Sequence, residues 1–146
     1  MTSCNLRAVR ALIESGWHAG SLARDKDGLM VRPEDPTAVS WCLVGAIGKA
    51  GGIAYDPEYA GYLSSPEFKV LERVAGRMPF EPASHEFPIS VQYNDEQTES
   101  GPVLALIDEA IADAEAIEQE HFVGEAINAE ASEAGHGRQI FDHIFA

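Results

Sequence analysis

Apolar side chains recur at helical spacing along much of the chain, with start and stop signals at the ends of each run. Leu6, Val9 and Ile13 place one apolar face on a first helix, and Gly16 is well placed to end it. The same pattern predicts a helix across residues 65–76, where a serine can cap the first turn and a glycine follows the last turn. Helices of this kind bury one face against a neighbour.

The longest helix is predicted to begin at residues 100–102 and to continue past residue 127. It carries a seam of apolar positions spaced by four and three, which is typical of a helix with one buried face. The members of the seam are Val103, Ile107, Ala110, Ala114 and Ile117. We expect the opposite face, which carries carboxylates, to be solvated.

The remaining elements are shorter. Residues 21–24 and 29–32 flank an Asp-Gly pair and predict a β-hairpin. Residues 89–93 alternate between apolar and polar side chains, which predicts a short strand. Together the elements predict a mainly α fold, a compact bundle of about five helices with a small β-hairpin. We expect residues 1–146 to form a single domain.

An almost wholly apolar helix is predicted near the centre of the chain. Asp35 and Pro36 have the form of a helix start, with the aspartate as N-cap and the proline at the first helical position. The helix would carry Trp41 and Cys42 and end at the glycines of residues 51–52. Because it is apolar on most sides, we expect it to be the most buried helix.

Composition limits the class of protein. The chain has 146 residues, 45% of them hydrophobic, which is enough to form a core without disulfide bonds or metal. No run approaches 18 consecutive apolar residues, so we expect no membrane span. Two cysteines do not make a disulfide framework, and the N-terminus lacks the layout of a signal peptide. These features indicate a cytoplasmic protein with free thiols.

The negative charge is confined to one part of the chain. The net charge is -14, yet residues 1–77 hold nine acidic and nine basic side chains. Residues 78–137 hold fourteen Asp and Glu and no Lys or Arg. Such a field repels nucleic acid and anionic membranes and attracts basic surfaces. The alternative is that the acidic residues only keep the protein in solution.

Nine of these carboxylates fall between residues 108 and 133. As a helix, 26 residues span about 39 Å, which places a carboxylate every ~4 Å. Phosphates on one DNA strand are ~3.4 Å apart, so the helix has a spacing that can imitate nucleic acid toward a basic protein groove. The candidate partner-binding residues are Asp108, Glu109, Asp113, Glu115, Glu120 and Glu125.

Five segments of the chain carry a recognisable pattern. They are residues 16–20 (GWHAG), 23–25 (ARD), 38–47 (AVSWCLVGAI), 93–95 (YND) and 103–111 (VLALIDEAI). Together they resemble a family of small uncharacterised bacterial and phage proteins. The family has the pattern GW, ARD, WCxxGA and then WND, so Tyr93 stands where a tryptophan is usual. The resemblance implies a shared fold and a bacterial or phage setting, and it implies no activity. It divides the chain into a family-like core at residues 1–119 and an extension at residues 120–146.

The resembling segments also place polar and aromatic residues that can form a small pocket. These are Trp17, Arg24, Asp25, Trp41, Asn94 and Asp95. The alternative for the two Asp-containing pairs is turn chemistry, because Asp and Asn side chains bond their own backbone in turns.

Cys42 is the first candidate nucleophile, with His18 as a possible base, but its apolar helix favours a structural role in the core. The five histidines are scattered and form no metal-binding pattern. We therefore expect no catalytic residue, no metal and no cofactor.

Two hypotheses for function follow. The first is a non-enzymatic acidic protein that binds a basic surface of a partner, such as a nucleic-acid-binding complex, and a phage setting would make it an inhibitor of a host or defence protein. The alternative is a small-molecule-binding protein or small enzyme with a pocket around the Trp-Cys segment. In either case the apolar tail at residues 139–146 is expected to dock on its own domain, on the partner or on a second copy of the chain as a homodimer.

Overall fold

In the computed structural model, which describes the backbone of residues 1–134 and the side chains of residues 1–120, the chain has six helices and three short strands. In chain order these are α1 (Thr2–Ser15), β1 (Ala23–Arg24), β2 (Met30–Val31), β3 (Ser40–Trp41), α2 (Leu43–Gly51), α3 (Ala60–Leu63), α4 (Pro66–Ala75), α5 (Ile89–Glu96) and α6 (Gly101–Ala134). Residues 1–113 form one compact unit, and the described residues from 114 onward belong to a second. The predicted mainly α fold with a small hairpin is confirmed.

The core of the first unit is built from one face each of α1, α2 and α4 and from the first turns of α6. Leu6 and Ile13 on α1 are buried as their spacing predicts, and Leu43 and Ile47 on α2 are buried with them. On α6, the first three members of the predicted seam, Val103, Ile107 and Ala110, are buried too. Each buried side chain of this size stabilises the fold by roughly 1.5–3 kcal/mol relative to exposure.

A three-stranded antiparallel sheet lies beside these helices, with β1 between β2 and β3. Ala23 on β1 is opposite Val31 on one side and Trp41 on the other. Trp17 forms an isolated parallel bridge with Trp41, which ties the segment after α1 to the sheet. The hairpin is as predicted, whereas β3 is not, because its residues were assigned to a helix.

The predicted helix from Asp35 is wrong in its first half. The Asp35 carboxylate accepts from the backbone N–H of Thr37 at 2.8 Å, so it caps a turn and not a helix. Trp41 donates its backbone N–H to the carbonyl of Gly16 at 3.0 Å, and this pairing holds the backbone extended. The helix starts only after Cys42, whose sulfur accepts from the N–H of Gly45 at 3.4 Å.

Residues 89–93 were predicted to form a strand, and this prediction is wrong because they belong to α5. Pro88 precedes the helix, and the first free N–H groups of α5 are bound by a side chain of α4. The alternating pattern therefore does not decide the structure here, because a contact between residues that are distant in sequence stabilises the helix.

Candidate functional site

α5 is held in place at its N-terminus by a carboxylate from α4. Glu72 accepts from the backbone N–H of Ile89 at 2.6 Å and from that of Ser90 at 3.0 Å. The hydroxyl of Ser90 donates to the same carboxylate at 2.7 Å. A carboxylate at this position satisfies N–H groups that have no partner in the helix, and it interacts favourably with the helix dipole. Glu72 thus determines where α5 begins.

One side chain on α5 also holds the loop that precedes the helix. The amide nitrogen of Gln92 donates to the carbonyl of Ser84 at 2.8 Å and to that of Phe87 at 2.9 Å. Its oxygen accepts from the backbone N–H of Ser84 at 3.0 Å. The loop at residues 84–87 therefore lies against α5, and this places Phe87 beside the helix.

Asn94 joins α5 to two other parts of the chain. Its side chain is only 2% exposed. The side-chain oxygen accepts from the indole N–H of Trp17 at 2.8 Å and from the backbone N–H of Leu43 at 3.3 Å, at the start of α2. The amide nitrogen donates to the Asp95 carboxylate at 2.9 Å. Asn94 therefore connects α5, α2 and the segment after α1.

Asp95, on the surface, bonds both to Asn94 and to the turn after α1. One of its carboxylate oxygens accepts from the amide of Asn94 and from the backbone N–H of Gly20, the latter at 3.0 Å. Gly20 has a φ of 97°, a conformation that side chains other than glycine rarely adopt. The Asp95 side chain itself is exposed. It bonds the turn after α1 while part of its carboxylate faces solvent.

Cys42 lies at the start of α2 and is buried. Burial raises the pKa of its thiol to about 11, because a thiolate is disfavoured away from water. His18, the candidate base, bonds the hydroxyl of Ser40 at 2.7 Å and the carbonyl of Ser21 at 2.5 Å. The thiol therefore has the properties of a core side chain and not of an activated nucleophile.

These elements enclose a cavity of about 740 Å³ within the first unit. This is in the range of clefts that hold small molecules, roughly 300–1,000 Å³. Its surface is mostly apolar, with contributions from Leu22, Cys42, Leu43, Val44, Leu63 and Val91. Tyr59, Phe87, Glu86, Asp95 and Glu96 also line it, and all five are exposed side chains.

The structure brings together only some of the predicted pocket residues. Trp17, Asn94 and Asp95 meet through the bonds described above, and the last two line the cavity. Arg24 lies beside the turn after α1, donating to the hydroxyl of Ser21 at 2.9 Å and to the carbonyl of Ala19 at 3.3 Å. It supports the turn and does not line the cavity.

Asp25 and Trp41 do not line this cavity. The Asp25 carboxylate accepts from the backbone N–H groups of Asp27 and Leu29 at 2.9 and 3.0 Å, which is the turn chemistry considered as the alternative. The Trp41 indole donates to the carbonyl of Pro33 at 3.2 Å.

The same turn interpretation does not hold for Asn94, whose partners are 77 and 51 positions away. The cavity wall at residues 83–92 was missed, because residues 83–88 show no periodic pattern and the alternation that begins at residue 89 was assigned to a strand.

On α6, two of the proposed partner-binding carboxylates already have partners. Asp108 accepts from Arg10 at 2.6 Å. Asp113 accepts from Arg73 at 2.8 Å and from Arg77 at 3.1 Å, and these guanidinium groups lower the pKa of Asp113. Asp108 remains exposed as expected, whereas Asp113 is only partly exposed.

The other acidic positions differ among themselves. Glu109, Glu115 and Glu120 are exposed. The side chain of Glu125 and the tail at residues 139–146 lie outside the part of the chain that the structure describes. Ile117, the last predicted member of the apolar seam, is 48% exposed and lies in the second unit.

Within the described residues, no three His, Cys, Asp or Glu side chains converge in a way that could hold a metal ion. None of the described helices combines the length and the apolar character needed to cross a membrane.

Comparison with known proteins gives one match. No curated protein and no solved structure matches the chain. The model of a family of unknown function, DUF6197, matches residues 2–113, which are the residues of the first unit apart from Met1. They include all the residues that line the cavity. With more than half of its length matched, the chain belongs to the DUF6197 family.

Proposed function

We propose that the chain is a binding protein for a small organic ligand with a largely apolar body, which occupies the cavity beside α2 and α5. The observation that carries the proposal is the cavity itself, with its volume of about 740 Å³ and its mostly apolar lining. An apolar cleft of this size with a few polar groups at one side is the usual form of a small-molecule site.

The polar groups support binding over catalysis. The side-chain oxygen of Asn94 is occupied by Trp17 and Leu43, so Asn94 serves the architecture of the wall. The raised pKa of Cys42 keeps its thiol protonated near neutral pH, and His18 is engaged by Ser40 and Ser21. A nucleophile needs a lowered pKa or an adjacent base, and neither is supplied here.

The proposal can be tested with N-phenyl-1-naphthylamine, a neutral apolar dye whose fluorescence rises in apolar surroundings. Val91 lines the cavity and is partly exposed, so Val91→Trp should fill the space without rebuilding the core. We expect the dye to bind the native protein and its affinity to fall by about tenfold or more in this variant, since about 1.4 kcal/mol of lost apolar contact is enough.

The matched control is Val39→Trp, the same change at an exposed position outside the cavity. It should leave dye binding unaltered, and circular dichroism should show both variants folded. Absence of dye binding to the native protein, or equal binding to both variants, would contradict the proposal.

A second candidate is the acidic surface, which would bind a basic partner and, in a phage setting, inhibit a nucleic-acid-binding or defence complex. The favouring observation is the absence of Lys and Arg from residues 78–137, combined with exposed Glu109 and Glu120. Asp108 and Asp113 contribute less, because arginines of the same chain already bond them.

This candidate predicts salt-sensitive capture of basic host proteins from lysate. Capture should weaken when Glu109 and Glu120 are changed together to Gln, and it should persist when Glu34 and Glu58 are changed, two exposed acids of the charge-balanced half. Capture that survives both the double change and added salt would exclude an electrostatic interface.

A further inference from the structure

We infer that the ligand of the cavity is an organic cation. It has an apolar body and an ammonium or guanidinium group that lies beside the carboxylates of Glu86, Asp95 and Glu96. This inference rests on the proposed function and deepens it by naming the class of ligand. It concerns the first unit alone, where every lining residue lies.

The charged residues that line the cavity all have the same sign. Glu86, Asp95 and Glu96 contribute three carboxylates, and the lining includes no Lys, Arg or His. Glu86 comes from the loop held by Gln92, while Asp95 and Glu96 end α5. Residues from two separate elements therefore bring negative charge to the same cavity, and a cationic ligand is favoured over a neutral or anionic one.

The protein does not neutralise this charge itself. Among the described side chains, no ion pair involves any of the three carboxylates. Arg24, which supports the turn after α1, donates to Ser21 and Ala19 and forms no ion pair with these carboxylates. Only one oxygen of Asp95 takes hydrogen bonds from described residues, which leaves the other for a ligand. Charge-assisted hydrogen bonds of this kind are stronger than neutral ones.

Two aromatic rings at the same cavity add to the preference. Tyr59, whose ring stacks on that of Tyr62, and Phe87 line it and are 40% and 63% exposed, so part of each side chain is accessible to a ligand. The faces of aromatic rings attract cations within about 6 Å of the ring centre. Carboxylates, aromatic faces and an apolar interior together match an amine with a hydrocarbon body.

The test uses three probes of equal length, namely hexylammonium, 1-hexanol and hexanoate, each displacing N-phenyl-1-naphthylamine from the cavity. We expect hexylammonium to displace the dye at about tenfold lower concentration than 1-hexanol, with hexanoate the weakest. Added salt should reduce the advantage of hexylammonium and leave 1-hexanol unaffected, because screening acts on charge alone.

Matched variants locate the effect. Glu86→Gln with Glu96→Gln should remove most of the preference for hexylammonium, whereas Glu81→Gln with Glu99→Gln should retain it. The second pair makes the same change in net charge at exposed acids that do not line the cavity. Dye binding and folding should be the same in both pairs.

The outcomes separate this inference from the proposed function. If the dye does not bind the native protein, the proposed function fails. If the dye binds but 1-hexanol or hexanoate displaces it as well as hexylammonium, the cavity stands and the cationic ligand is refuted. An equal loss of the preference for hexylammonium in the two double variants would also refute it. The effect would then come from the net charge of the protein and not from the carboxylates that line the cavity.

Discussion

Replacing Asn94 by Ala should be among the most destabilising single changes outside the apolar core. The substitution removes the acceptor for two N–H groups, the indole of Trp17 and the backbone of Leu43. A buried donor left without a partner costs about 1–3 kcal/mol. The position is almost fully buried, at 2% exposure. Trp17 is only partly buried, so water can replace part of the hydrogen bond that its indole loses. We expect the free energy of unfolding to fall by about 3 kcal/mol in total.

The measurement is urea denaturation followed by circular dichroism, analysed for a two-state transition. For a chain of this size, about 3 kcal/mol corresponds to a fall in melting temperature of roughly 10 °C. A suitable control is Gln97→Ala, one position beyond the end of the same helix, which loses a 2.9 Å bond to the carbonyl of Tyr93. That carbonyl is only partly buried and can bond water, so the control should lose about 1 kcal/mol or less.

The reasoning is refuted if the two variants lose similar stability, or if Asn94→Ala loses less than about 1 kcal/mol. Either result would mean that the donors find other partners and that Asn94 does not connect the three elements.

Three further outcomes follow from single contacts. Iodoacetamide at pH 7.5 should label the exposed Cys4 readily. It should label Cys42 about 100-fold more slowly than an ordinary thiol, because burial raises the pKa of Cys42 from 9.0 to about 11. Mass spectrometry of peptides distinguishes the two sites, and comparable labelling rates would disprove the core assignment of Cys42. The pKa of Asp113 is lowered in the folded state, so its ionised carboxylate contributes to the stability of the fold above the unfolded pKa. This stabilisation is lost as the pH falls through the folded pKa. Acid titration of stability should therefore show a smaller loss below about pH 4 in Asp113→Asn than in the native protein, and identical curves would contradict this. Tyr62→Phe should raise the free energy of unfolding by about 1 kcal/mol, because the buried hydroxyl has no partner among the described residues, and a loss of stability in urea would show that a partner exists.

Elements with local signals were predictable from the sequence. α1 and α4 end where a glycine follows the apolar run, and Ser65 caps α4 through the N–H of Phe68, as its residue type favours. The hairpin around Gly28 also followed from a two-residue turn signal. In each of these cases the residues that stabilise the element lie within a few positions of it.

Elements that lack a usual local signal, or that depend on distant partners, were not predictable. The start of α2 is capped by the sulfur of Cys42, which is not among the usual capping side chains, while Asp35 has the usual form and caps only a turn. α5 owes its first turn to Glu72, seventeen positions earlier. No local pattern indicates such a bond.

The candidate site shows the same division. Asn94 and Asp95 were identified through the family resemblance and the chemistry of polar pairs. Phe87 and Val91 were not, because their place at the cavity depends on how Gln92 folds the preceding loop. Trp41 was assigned to the pocket as part of the resembling segments, yet its indole donates to the carbonyl of Pro33.

The dependence of α5 on other parts of the chain has a kinetic consequence. An eight-residue helix without a capping side chain of its own is not stable in isolation. Breaking the contacts of Glu72 and Asn94 releases α5 and the loop at residues 84–87 as one cooperative unit. Amide hydrogens in α5 should therefore exchange with solvent through openings smaller than global unfolding, and those in α1 only through larger ones. We expect a ligand in the cavity to favour the closed form of this unit and so to slow exchange in α5 first.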